Sequence, residues 1–203
     1  MNPIRSICVY CGSSPGRDEA YFNAGRLLGR SIARSGLRLV YGGGTKGIMG
    51  AVSDGALQAG GAVLGIIPRF LVNKEAGGSG LRHLSEVVIT ENMHQRKHLM
   101  FEQSDAFVAL PGGIGTVEEI VEIITWAQLG HHRKPMVFGN VNGFWNPMTA
   151  MLEHMAAAGF IHTAHRVRPL VIDDPEAIVP AILAAAAASG VPAEGNEAVL
   201  DKL

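Results

Sequence analysis

The sequence predicts an α/β fold, a doubly wound, Rossmann-like parallel sheet of about seven strands flanked by helices, in a single domain over 1–203. Three observations carry this. Short apolar runs alternate with segments of helical periodicity along the chain, the order that builds a parallel sheet covered on both faces. The apolar runs are nearly continuous rather than alternating, as in strands buried on both sides. Three glycine-bearing loops follow strand candidates, at the carboxyl ends where ligands bind in such sheets.

The elements read in order. Strand Ser6–Tyr10 leads through Gly12-Ser13-Ser14 into helix Glu19–Ser35. Strand Arg38–Tyr41 leads through Gly42-Gly43-Gly44 into helix Gly47–Ala59. Strands Ala62–Ile67 and Glu86–Thr90 are separated by Phe70–Leu84, whose three glycines within Gly77–Gly80 read as a mobile loop. Helix Asn92–Gln103 precedes strand Ala106–Leu110, the loop Pro111–Gly115 and helix Thr116–Leu129. Strand Pro135–Phe138, helix Trp145–Ala157, strand Pro169–Ile172 and helix Pro175–Ala188 follow, and the polar tail from Gly190 reads as frayed. No linker or internal repeat interrupts this order.

Composition narrows the partners. A chain of 203 residues suits one large domain, which buries about 70% of its unfolded surface. A net charge of -1 and a pI near 6.7 provide no global basic field for nucleic acid or an anionic membrane. The N-terminus has no charged segment followed by a long apolar one, and no run reaches transmembrane length, which predicts a soluble cytoplasmic protein. Cys8 and Cys11 form a C-x-x-C. Positions three apart on a strand face opposite ways, and no second cysteine pair completes a four-ligand site. They read as structural cysteines of a reducing compartment.

The most informative run is Pro111-Gly112-Gly113-Ile114-Gly115-Thr116-Val117-Glu118-Glu119. Its order is strand, glycine loop, helix. Glycines let the backbone turn sharply and aim several N–H groups at one point, and the helix N-terminus adds about half a positive charge. Such a loop holds an anion, typically a phosphate. Glu119 has two readings. With Thr116 as N-cap, Thr116-x-x-Glu119 is a capping box. A carboxylate one turn past an anion site also suits chemistry on a phosphorylated substrate. Glu118 and Glu122 read as solvated.

Gly42-Gly43-Gly44-Thr45-Lys46-Gly47 matches G-x-G-x-x-G, but it follows the second strand, and Ile67-Pro68-Arg69 stands where the ribose-binding acid belongs. Lys46 is followed by glycine, so it is no Walker loop either. It is a tight turn or a second wall for a mononucleotide. At helical spacing Met93, Arg96, Lys97 and Met100 share a face, which suits a phosphate-plus-base site or an ordinary basic patch. His94, His98 and Glu102 share another face, but Gln95 replaces the glutamate of H-E-x-x-H, so they read as surface or packing residues and no metal is expected. His131-His132 carries no readable geometry.

These motifs together resemble the LOG ("Lonely Guy") family of cytokinin riboside 5′-monophosphate phosphoribohydrolases. Pro111 to Glu119 is similar to its P-G-G-x-G-T-x-x-E signature, and Met93-His94-Gln95-Arg96-Lys97 to its second motif. Val9-Tyr10-Cys11-Gly12-Ser13-Ser14 and Tyr41-Gly42-Gly43-Gly44 with Gly47-Ile48-Met49-Gly50 look like its other glycine loops. The similarity runs in order from about Ile4 to Ala188. Many members carry an older label, lysine decarboxylase, yet nothing here marks a pyridoxal-phosphate lysine.

The resemblance implies cleavage of the N-glycosidic bond of AMP and N6-modified AMP, giving free base and ribose 5-phosphate without metal or cofactor. It implies Arg96 and Glu119 as catalytic residues. Pro111, Gly112, Gly113, Ile114, Gly115, Thr116, Val117 and Glu118 would bind substrate, with Gly43, Met93 and Lys97 around the pocket. Thr125 would reach the ligand of a neighbouring subunit, in a homodimer or a hexamer. Ile114 stands where many members have an aromatic, and Glu75 fills the place of an acid near the base. Two other classes fit the motifs less well: a broader nucleoside monophosphate nucleosidase, and a non-catalytic carrier like the molybdenum-cofactor carriers, which share the fold and a similar loop.

Overall fold

The protein is described by a computed structural model over residues 4–76, 81, 84–161 and 168–188. The strands are β1 (Ser6–Tyr10), β2 (Arg38–Tyr41), β3 (Val63–Pro68), β4 (Glu86–Thr90), β5 (Ala106–Ala109), β6 (Met136–Gly139) and β7 (Leu170–Ile172). They form one parallel sheet in the order β4-β3-β2-β1-β5-β6-β7. The order reverses between β1 and β5. The loops after these two strands therefore diverge there and open the crevice in which doubly wound sheets bind ligands. The glycine run after β5 falls at this switch point.

The helices are α1 (Glu19–Arg34), α2 (Gly47–Gln58), α3 (Met93–Glu102), α4 (Ile114–Gln128), α5 (Asn146–Ala157) and α6 (Ile178–Ala188). Alternate residues of the buried strands divide the interior into two cores. Ile7, Val9, Leu39 and Val108 pack with Leu28 and Ile32 of α1, Val52 of α2 and Ile182 of α6. Cys8, Tyr10, Val40 and Phe107 pack with Met100 of α3, Ile120 and Ile123 of α4 and Met148 of α5. Cys8 and Cys11 are free, buried and in opposite cores, as the spacing predicts. Burial pushes both thiols well above the ordinary cysteine range, which suits packing and not redox work.

Local chemistry starts the helices. Asp18 caps α1 by accepting from Ala20 N, and Asn92 caps α3 by accepting from Gln95 N, both at 2.9 Å. Gln95 answers by accepting the Glu91 N–H, so the residue that breaks the metalloprotease pattern is a capping residue. His98 pairs with Glu102 on an exposed face, and no cluster of three metal-binding side chains occurs among the described residues.

Most predicted boundaries shift by a residue or two. The last predicted helix is a 3-10 turn, Pro175–Ala177, followed by α6. The predicted loop after β3 holds more structure than expected: a 3-10 turn over Arg69–Leu71 and one π-helical turn over Val72–Ala76. Gly77–Gly80, on which its mobility was predicted, lies outside the described residues, as does the tail from Gly190. Among the described residues no helix is long and apolar enough to cross a membrane.

Helices α1 and α2 pack at backbone contact. A Cβ on Gly29 would lie 2.0 Å from the carbonyl oxygen of Val52, and one on Gly55 would lie 2.2 Å from that of Arg26. Alanine is the better helix former by about 1 kcal/mol, but the clash is with backbone and cannot be relieved by a rotamer. Gly29→Ala should therefore lower the unfolding free energy by about 1–3 kcal/mol, measured by urea denaturation.

Candidate active site

Three glycine loops meet at the carboxyl end of the sheet. The Gly12 N–H donates to Pro111 O, and Gly12 O accepts from Ile48 N and Met49 N at the start of α2. The loop after β1 is thus tied to both other loops through one residue. Gly47 adopts φ +57, with Ser13 backbone 2.4 Å from where a Cβ would be. No other residue type fits that approach.

The chain after β5 runs strand, glycine loop, helix in the predicted order, with one difference at the helix start. Helix α4 starts at Ile114, and its N-cap is Gly113, which has no side chain to cap with. Thr116 is therefore inside the first turn, and the predicted capping box does not form. The N–H groups of Ile114, Gly115 and Thr116 have no partner among the described residues, and Gly113, Ile114 and Gly115 are exposed. Thr116 is buried, and a Cβ on Gly112 would lie 2.2 Å from its Oγ1. Three free donors at the positive end of a 15-residue helix make a local field that favours an anion.

Freed from capping, Glu119 points inward. It is 8% exposed and faces Arg96, 5% exposed, with Arg96 Nη2 3.4 Å from its Oε1. Arg96 is no solvated patch: its guanidinium lies under Gly42, where a Cβ would stand 2.1 Å from Nη2. The bare backbone of Gly42 makes room for the cation. Arg96 Nη1 reaches Met93 Sδ at 3.8 Å, while Nε is buried without a partner. An orphaned buried N–H costs about 1–3 kcal/mol, and such groups concentrate at working sites. Burial pushes the Glu119 carboxyl up to about 7, against the pull of Arg96. A carboxyl held near neutrality, beside a fixed cation and a phosphate seat, has the properties of a general base.

The remaining predicted residues divide. Gly43 has φ +75 and packs on Ile67. Glu75 reaches the Gly42–Gly44 loop through its carbonyl, which accepts from both Thr45 N and Thr45 Oγ1, and its Oε2 is buried without a partner. Lys97 turns its ammonium to Glu118 and Glu122, tying α3 to α4. Both acids, read as solvated from spacing, are thereby engaged. Thr125 is exposed and its hydroxyl donates to Val121 O within its own helix, about 13 Å of helix rise from Thr116 and away from this chain's own crevice. The engagement of Thr45 had no signal in the sequence, because it joins residues 30 apart through a main-chain carbonyl.

Known proteins with similar sequences share this arrangement's family. The profile described as "Possible lysine decarboxylase" matches residues 49–182. A cytokinin riboside 5′-monophosphate phosphoribohydrolase of Rhodococcoides fascians is 47% identical over 88% of this chain and 89% of its own length. One from Oryza sativa subsp. japonica is 44% identical over 86% of this chain and 70% of its own. Among solved structures, a structural-genomics target superposes with a TM-score of 0.68 at 25% identity, covering 88% of this chain and 98% of that one. The molybdenum cofactor carrier protein of Chlamydomonas reinhardtii superposes with a TM-score of 0.67 at 22% identity, over 91% and 99% of the two chains, and shares the fold. The chain belongs to the LOG family.

A carboxyl whose pKa is higher in the folded protein than in the unfolded chain stabilises the fold fully below the unfolded value of 4.5, and that contribution is lost as pH rises through about 7. Glu119→Gln cannot ionise and escapes this loss. The unfolding free energy of the wild type should fall relative to that of the variant by about 2.5 kcal/mol between pH 5 and pH 8. Urea titrations of both proteins at the two pH values measure it.

Proposed function

We propose that this protein hydrolyses the N-glycosidic bond of AMP and of N6-modified (cytokinin) riboside 5′-monophosphates, releasing the free base and ribose 5-phosphate. The observation that carries the reading is the buried Arg96–Glu119 pair one turn inside an unoccupied-donor helix N-terminus. The names of the relatives support the same reaction.

The geometry performs the chemistry in order. The 5′-phosphate sits on the N–H groups of Ile114, Gly115 and Thr116, helped by the Thr116 hydroxyl, where the helix dipole favours a dianion. From Thr116 to Glu119 the helix rises about 4.5 Å, so a ribose seated on the phosphate end extends toward the carboxylate. As the C1′–N bond breaks, positive charge builds on the ribose ring. Ionised Glu119 stabilises that charge and takes a proton from the water that attacks C1′; the departing base leaves with the bond's electron pair and gains a proton. Arg96 fixes Glu119 and supplies its free Nε–H to the nucleotide. Met93 lies beside the guanidinium, and Glu75 stands as an acid toward the base.

The lysine decarboxylase description fits these residues poorly. A Schiff-base lysine needs a depressed pKa. Burial pulls Lys97 down, but its bonds to Glu118 and Glu122 more than reverse that and raise it. A homodimer is part of the proposal: Val121 and Thr125 of α4 and its C-cap Leu129 form an exposed stripe at four-residue spacing, with Leu129 78% exposed. A cytoplasmic location is supported by the two free thiols.

Release of adenine from AMP, followed chromatographically, tests the reaction, and comparing AMP, GMP, CMP and isopentenyl-AMP on one preparation defines the base. Glu119→Gln should lose at least about a hundredfold in kcat, the range expected for a general base, and wild-type turnover in that variant would remove Glu119 from the mechanism. Because the ionised carboxylate does the work, wild-type kcat/KM should rise with pH through about 7 and then level. Light scattering should show twice the chain mass.

A further inference from the structure

Thr45 lies in the Gly42–Gly47 loop and is fixed on both sides. A Cβ on Gly50 would lie 2.4 Å from Thr45 O, so the Thr45 carbonyl rests against bare backbone of α2. On the other side its N–H and its hydroxyl both donate to Glu75 O, at 3.0 and 3.1 Å. Glu75 lies in the single π-helical turn Val72–Ala76, and π turns of this kind recur at functional sites. Its Oε2 is buried and has no hydrogen-bond partner among the described residues. Leaving a buried carboxylate oxygen unpaired costs free energy, so its placement depends on how firmly the backbone that carries it is held.

We propose that Thr45 is a positioning residue: by gripping the main-chain carbonyl of Glu75 with two hydrogen bonds, it holds the Glu75 carboxylate at the nucleotide crevice, within electrostatic reach of Glu119. This rests on the hydrolase reading above. In this role Thr45 acts through Glu75. The groups that act on Glu119 are Arg96 and Lys97 from α3, Glu118 from its own helix and Glu75 from the π turn. Tyr10, Cys8 and Cys11 also feel its charge and are kept neutral by burial. Among the described residues Glu75 is a charge on Glu119 from outside α3 and α4, and it adds to burial in raising the Glu119 carboxyl by like-charge repulsion.

The test compares wild type, Thr45→Val, Thr45→Ser, Glu75→Gln and the double variant Thr45→Val/Glu75→Gln as full chains. AMP hydrolysis is followed from about pH 5.5 to 9, with AMP affinity by calorimetry. Loss of one neutral hydrogen bond should raise KM about three- to tenfold in Thr45→Val, with kcat within about twofold. Thr45→Ser, which keeps the hydroxyl, should restore KM. The acid limb of the Thr45→Val profile should move to lower pH, because Glu75 no longer sits where it repels the charge on Glu119. A loss of fold alone would not move it in that direction. In the Glu75→Gln background Thr45→Val should add nothing. A wild-type KM and acid limb in Thr45→Val, or the same loss in both backgrounds, overturns the proposal. If wild type binds AMP but releases no adenine, the hydrolase reading fails, and the affinity series decides the role of Thr45 separately. If it neither binds nor cleaves AMP, both fall.

Discussion

The site depends on one buried ion pair. Arg96 and Glu119 have almost no access to water, and their charges meet at 3.4 Å. Taking two such charges out of water costs several kcal/mol per ion, and the attraction between them offsets this only if the geometry is held. Much of the surrounding structure serves that geometry. Gly42 presents no side chain, so the guanidinium can lie against its backbone. Lys97, bonded to Glu118 and Glu122, keeps α3 and α4 in register beside the pair. Arg96 still has a donor to spare, and Glu119 is still reluctant to ionise. Both imbalances are what a site needs before its substrate arrives, and neither would persist in a pair evolved only for stability.

The glycines divide the remaining labour by chemistry. Gly12 joins the loops through its N–H and its carbonyl. Gly42 yields space to a cation, Gly112 to a hydroxyl and Gly47 to neighbouring main chain. Gly113 and Gly115 meet nothing within 4 Å, which keeps the anion seat open on its outer side. A single helix terminus therefore presents a positive end to solvent and a carboxylate to the interior within two turns.

Much of this was legible in the residues, and what was not has physical reasons. The alternation of apolar runs and helical patterns placed the strands and α-helices of the described residues, because buried parallel strands and amphipathic helices have distinct periods. The glycine run after β5 was legible as the turn into a helix N-terminus because free donors there are a local property. Glu119 was ambiguous because Thr-x-x-Glu is a cap only when the helix starts at the threonine, and here it starts two residues earlier at Ile114. Glu118 and Glu122 looked solvated because spacing along one helix is blind to a lysine on the next. The reach of Thr45 to Glu75 and the close approach of Arg96 to Gly42 depend on tertiary contact, with no trace in either segment taken alone. The π turn at Val72–Ala76 escaped for a related reason: glycines just beyond it dominated the reading of that stretch.

The strand order has a consequence for how this protein matures. Arg96 is carried by the helix that follows β4, at one edge of the sheet, while Glu119 follows β5, beyond β1 on the other side of the reversal. Helix α3 is the crossover that spans this distance. A nascent chain that has assembled only β1 to β4 owns the cation without its acid, and with it an uncompensated buried charge. Such an intermediate is disfavoured until β5 inserts beside β1 and delivers α4. The ion pair thus couples closure of the sheet's two halves, whose contacts are distant in sequence, to the appearance of the site. Competence to bind a nucleotide then reports that folding across the switch point is finished.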